Sequence, residues 1–150
     1  MEFIRAGINF TDELRKIAHE SEAYWGYDHG YMTKFDSEFN ITKEFIAMHT
    51  VYLGQQDGKI RCFWGILRKS DYWELEYFYI SCDSIGEGCG RKMWLHMINW
   101  CMENHVEKIQ WVTSPEAVGF YLKMGAKQTG TAISVLNGRE IPKFSLVLNG

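Results

Sequence analysis

Proline is nearly absent, with only Pro115 and Pro142 in 150 residues, and no Pro/Gly/Ser-rich stretch or internal repeat interrupts the chain. That excludes an extended linker, so residues 1–150 read as one domain. No run of 18 apolar residues occurs, which excludes a membrane-spanning helix. The first ten residues carry Glu2 and Arg5 and lack a long apolar stretch, so they do not read as an export signal. The four cysteines, Cys62, Cys82, Cys89 and Cys101, form no C-x-x-C pair, and the five histidines are scattered. Reduced thiols in a cytoplasmic protein, and no metal site, are therefore expected. There is no basic excess either: 16 Lys and Arg against 19 Asp and Glu give a net charge of −3. A nucleic-acid partner is disfavoured, and a cationic or amine ligand is compatible.

What is abundant is apolar and aromatic. Hydrophobic residues make up 46% of the chain and aromatics 15%, against 23% charged, the balance of a globular protein with a real core. Residues 2–8 read as a strand. Thr11 is placed as the N-cap of a helix with Asp12 and Glu13 in its first turn and Leu14, Ile17, Ala18 and Ser21 on one face. Residues 24–39 are aromatic and irregular, and Thr42 caps a second helix over 42–48. Strands over 49–56 and 59–68 flank Asp57-Gly58, a tight-turn dipeptide. In the strand 72–80, alternation puts Glu74, Glu76, Phe78 and Ile80 on one face and Trp73, Leu75, Tyr77 and Tyr79 on the other. A helix follows to about Asn104, then a strand over 108–113. Ser114, Pro115 and Gly125 bracket another helix, and two strands over 126–135 and 140–148 close the chain. The order implies an α/β (α+β) fold. A mixed, mostly antiparallel sheet of about seven strands is flanked by about four helices, with one late β-α-β crossover.

The segment 85–91 carries the most chemistry. Gly86, Gly88 and Gly90 alternate just before a helix and just after a central strand. A helix start presents unpaired N–H groups and a partial positive charge, and glycines let that backbone curl around a phosphate. Arg91 and Lys92 in the first turn are unfavourable against the helix dipole unless an anion sits there. The dinucleotide fingerprint and the nucleoside-triphosphate loop both fail, because the glycine each needs falls on Arg91.

Ile85-Gly86-Glu87-Gly88-Cys89-Gly90, together with Ala117-Val118-Gly119-Phe120-Tyr121-Leu122-Lys123-Met124-Gly125-Ala126, resembles the GNAT superfamily of N-acetyltransferases. The first matches its Gln/Arg-x-x-Gly-x-Gly/Ala acyl-CoA loop and the second its A-x-x-F-Y-x-x-x-G-F block, in the right order and separation. Ile85 departs from the usual Gln or Arg, Cys82 from a common Pro, Ser114 from Asn and Ala126 from Phe. None removes a group the chemistry requires.

The resemblance implies acetyl-CoA as cosubstrate and direct transfer of the acetyl group to a primary amine of a small molecule or peptide. The cofactor site it implies comprises Phe78, Tyr79, Ile80, Gly86, Glu87, Gly88, Cys89, Gly90, Arg91, Ser114 and Tyr121. A backbone N–H near Phe78–Ile80 would polarise the thioester, and Tyr121 would protonate the leaving thiolate. Either Glu76 or Glu74 would take the proton of the amine. Phe120 reads as the core residue of its pair. Tyr24, Trp25, Tyr27 and Tyr31 would wall the acceptor site, as an aromatic box for a cationic amine. The alternative is a non-catalytic acyl-CoA-binding or regulatory module on the same fold. Acceptor identity and oligomeric state, a homodimer included, stay open.

Overall fold

The structure is a computed structural model and describes residues 1–148. Its strands are β1 (Glu2–Arg5), β2 (Thr50–Gln56), β3 (Lys59–Arg68), β4 (Trp73–Ile80), β5 (Lys108–Val112), β6 (Lys127–Ile133) and β7 (Glu140–Val147). They form one seven-stranded sheet in the order β1-β2-β3-β4-β5-β7-β6, antiparallel except between β4 and β5. The helices are α1 (Thr11–Ala23), α2 (His29–Lys34), α3 (Lys43–Met48), α4 (Cys89–Glu103) and α5 (Val118–Lys123). The mixed α/β architecture read from the sequence is the observed one, and α4 is the crossover that makes β4 and β5 parallel.

The sheet separates two apolar layers, and β3 serves both through its period of two. Cys62, Trp64 and Ile66 face α4, where they meet Met93, Trp94 and Met97; Phe63 faces the other way, toward Leu14, Met32, Phe35 and Val51. In β4 the alternation breaks. Gly65 pairs with Tyr77 but Ile66 pairs with Leu75, so Glu76 is an extra residue, a β-bulge. Leu75 therefore belongs to the α4 layer while Tyr77 belongs to the α1 layer, and beyond the bulge Phe78 and Ile80 turn to the α4 side. This corrects the face assignment made from strict alternation. A bulge leaves no mark in a strand's own residue pattern, because it is defined by the partner.

Two local expectations also change. Thr11 is the first residue of α1 rather than its cap: Phe10 holds the N-cap position, and the Thr11 hydroxyl donates to the carbonyl of Ile8 at 2.6 Å. The aromatic stretch 24–39 is not irregular. Asp28 caps α2 by accepting from the N–H of Tyr31 at 2.8 Å, and a π-helical turn, Phe35–Phe39, follows. That turn is clamped to α1. Arg15 donates to the carbonyls of Asp36 and Ile41, each at 2.6 Å, and His19 Nδ1 stands 2.6 Å from the Asp36 carboxylate. Asn40 Nδ2 completes the clamp with bonds to the Arg15 carbonyl and Asp36 Oδ1. Thr42 does cap α3, accepting from the N–H of Phe45 at 3.1 Å, and Asp57 and Gly58 both take positive φ.

Candidate functional site

β4 and β5 pair at only two positions, Trp73 with Ile109 and Glu74 with Gln110, and then separate. Past that point the β5-facing edge of β4 has no strand partner among the described residues, and two cavities open along it. The larger, about 360 Å³, lies on the α4–α5 side and is lined by Phe78, Ile80, Ile85, Ala117, Phe120 and Tyr121, among others. The smaller, about 230 Å³, is walled by Tyr27 and Tyr31, by Phe35 and Phe39 of the π turn, and by the β6–β7 hairpin. Six residues line both: Glu22, Glu76, Tyr79, Val112, Thr113 and Ser114. The cavities thus share a wall that contains two carboxylates.

Beside the larger cavity, the chain leaves β4 through a short 3-10 turn (Cys82–Ser84) and enters α4 at the glycine loop. Gly86 and Gly88 have φ of +86° and +80°, and a Cβ built on either would meet nothing within 4 Å. The backbone there is curled and uncovered, and Gly88 gives the 15-residue helix α4 no side-chain cap. Gly86, Glu87, Gly88 and Arg91 are exposed along this loop, while Cys89 and Gly90 are buried. Gly90 has a different purpose: its Cβ would press on Ile80 at 3.0 Å and Phe120 at 3.1 Å, so its smallness lets the start of α4 close on β4 and α5.

Tyr121 is only 5% exposed and packs against Trp111, Phe144, Phe78 and Trp94, with ring centroids 5.1–6.0 Å away. Burial pushes its phenol well above the ordinary range, with Thr113 opposing. It therefore holds its proton at neutral pH while lining the larger cavity. Phe120, expected to be the core member of the pair, is the less buried of the two and lines the same cavity.

The two strand carboxylates do not share an environment. Glu76, carried out by the bulge, lines both cavities. Its pKa is raised first by desolvation and then by Glu74, with Lys69 opposing. Glu74 lines neither cavity and pairs with Lys69 at 3.4 Å. The four aromatic residues proposed as a box also divide. Tyr27 and Tyr31 stack on each other at 4.0 Å and line the smaller cavity. Trp25 lines the larger one, and Tyr24 packs edge-on against Trp25 and lines neither.

Glu22 was not apparent from motifs. Its Oε2 accepts from the Tyr31 hydroxyl at 3.0 Å and its Oε1 from the Tyr79 hydroxyl at 3.3 Å. Burial raises its pKa; the two hydroxyls pull it down, and Glu116 adds repulsion. Glu116 in turn accepts from the Tyr27 hydroxyl at 3.3 Å. The signal for Glu22 was its helical register: it continues the buried stripe Leu14–Ala18 by four residues, placing a carboxylate where an apolar residue is expected.

A split sheet, an uncovered glycine loop at a helix start and two cavities meeting at a polar wall together form one cleft. The profile of the acetyltransferase (GNAT) family matches residues 11–126, and the chain belongs to that family. Among solved structures, a PaiA N-acetyltransferase from Thermoplasma acidophilum in complex with coenzyme A is similar in fold. Its TM-score is 0.83 at 15% identity, with 97% of this chain and 98% of that chain covered. YncA, a putative acetyltransferase from Salmonella typhimurium with acetyl-CoA, gives 0.75 at 13% identity over 100% and 95% of the two chains. The ribosomal-protein-S18-alanine N-acetyltransferase from Escherichia coli gives 0.75 at 14% over 99% and 94%. A sequence comparison with curated proteins finds no match.

Proposed function

We propose that this protein transfers the acetyl group of acetyl-CoA directly to a primary amine of a small molecule or peptide. One observation carries the reading: the cavity beside the glycine loop and the cavity beside the aromatic segment share the wall that holds Glu22, Glu76, Thr113 and Ser114. A donor on one side and an acceptor on the other would meet there. Two relatives of the same fold were solved with coenzyme A or acetyl-CoA, which supports the choice of donor.

The loop residues fit such a donor. The uncovered backbone at Gly86–Gly88 and the first turn of α4 would hold the pyrophosphate through N–H groups. Ile80, Ile85 and Phe120 would line the apolar path toward the wall. Acetyl-CoA supplies an activated acyl group. Backbone N–H groups on the free edge of β4 between Leu75 and Ile80 would serve as donors to the developing oxyanion. Tyr121 keeps a proton available for the departing thiolate, and Glu76, with its raised pKa, is the base that neutralises the ammonium of the acceptor. A cytoplasmic setting belongs to the same proposal, in keeping with four unpaired cysteines.

Gly88→Ala is the direct test of the loop. The substitution forces a Cβ onto a left-handed backbone, at a cost of about 1–2 kcal/mol, so the loop would be expected to rearrange. Coenzyme A affinity measured by calorimetry should fall about tenfold or more, with the circular dichroism spectrum retained. Unchanged affinity in the folded variant would place the donor elsewhere.

A further inference from the structure

The aromatic cavity is electrically divided. Its carboxylates, Glu22 and Glu76, lie on the wall shared with the donor side. Arg139 lines this cavity and not the other. The rest of the lining is largely apolar, with Phe35, Phe39, Ile133 and Ile141. The N–H of Thr113, on the shared wall, donates to the carbonyl of Pro142; Arg139 is three residues further along the hairpin, roughly 10 Å at the rise of a strand.

Arg139 is an exposed cation on the lining of this cavity. Its guanidinium has no hydrogen bond and no ion pair among the described residues. The loop that carries it is nonetheless tightly built. Ser134 N–H donates to the Arg139 carbonyl at 2.7 Å, Gly138 N–H to the Ser134 carbonyl at 2.8 Å, and Arg139 N–H to Asn137 Oδ1 at 3.1 Å. Lys34 of α2 ties the loop down through the Val135 carbonyl, which occupies its own ammonium. The charge of Arg139 is felt at the Tyr27 phenol, whose pKa it lowers against the effects of burial and Glu116.

We infer that the acceptor is an amine that also carries a carboxylate, an amino acid or a compound of that kind, with its ammonium toward Glu22 and Glu76 and its carboxylate on Arg139. This rests on the reading of the aromatic cavity as the acceptor site. A diamine fits the same cavity less well, because its second ammonium would face the Arg139 guanidinium, which is not neutralised by an ion pair among the described residues. A cavity of about 230 Å³ is also below the ~300–1,000 Å³ of sites for drug-sized ligands, which suits a small metabolite.

The test uses two matched pairs as acceptors with acetyl-CoA: L-phenylalanine against phenethylamine, and 6-aminohexanoate against 1,5-diaminopentane. Charge-assisted hydrogen bonds should favour a carboxylate-bearing member by about ten- to a hundredfold in kcat/KM. In Arg139→Gln that preference should vanish through KM, with coenzyme A affinity unchanged. Equal use or preference for the amine lacking a carboxylate overturns the inference, as does turnover confined to other amines without an anionic group. A preference that survives Arg139→Gln overturns the assignment to that residue. Coenzyme A binding with no amine acetylated would overturn the transferase reading itself, a different failure.

Discussion

Replacing Tyr121 by Phe is expected to lower kcat on the order of a hundredfold while leaving coenzyme A affinity nearly intact. The substitution keeps the ring that packs against Trp111, Phe144 and Phe78 and deletes one hydroxyl. Burial holds that hydroxyl protonated far above neutral pH, so the wild-type rate should show no loss from its ionisation in the neutral range. Loss of an acid that acts only as the thiolate leaves affects the chemical step and not the binding that precedes it. A good leaving group needs little protonation, so a thioester with a more acidic thiol should be transferred with a smaller penalty in the variant. Steady-state rates with both thioesters, alongside calorimetry with coenzyme A, read this out. Wild-type kcat in Tyr121→Phe would return the residue to a packing role.

The second large effect is expected at Glu76. Glu76→Gln should reduce the rate at pH 7 by about a hundredfold, and raising the pH should restore much of it. The base must be ionised to act. Its pKa is raised, so the wild-type rate should climb with pH until that group is deprotonated. In the variant the amine must arrive already neutral, so the rate should keep rising toward the amine pKa, near 10 for an ordinary primary amine. The stability sign runs opposite to the activity sign. A carboxyl whose folded pKa exceeds its unfolded value contributes stability below the unfolded pKa and loses it as pH rises through the folded one. Glu76→Gln should therefore be no less stable than wild type at pH 7. Glu74→Gln removes a partly exposed pair with Lys69 and a charge that helps raise Glu76, so the maximal rate should stay near wild type while the rising limb of the pH–rate profile moves to lower pH. A Glu76→Gln profile that superimposes on wild type would move the base to another group, with Glu22 on the same wall the first to examine.

The elements legible from sequence are those set by local chemistry. Asp57-Gly58 specifies its hairpin because both residues must take positive φ. The bracket Pro115–Gly125 encloses the 3-10 turn and α5, and Gly125 indeed has φ of +95°. The glycine loop was visible because Gly86 and Gly88 are needed for backbone shape rather than for a side chain. What escaped depended on partners distant in sequence. Glu76 and Glu74 look equivalent in the strand, and only the register against Gly65 and Ile66 separates them. Tyr24, Trp25, Tyr27 and Tyr31 look like one cluster, and only the fold of the Asp28-capped turn sends Tyr27 and Tyr31 to one cavity and Trp25 to the other. Arg139 carries no local signal, because its place in the cleft is set by the closing hairpin lying across α2.

Acetyl groups are expected to cross the wall shared by the two cavities. Incubating the protein with acetyl-CoA and a panel of primary amines, with mass spectrometry of the amines and titration of released thiol, tests it most directly. The expected result is one acetylated amine formed per thiol released, saturable in both substrates and strongly reduced in Tyr121→Phe. Coenzyme A that binds the glycine loop while every amine stays unmodified would contradict it, and would make the protein a binding module on a transferase fold.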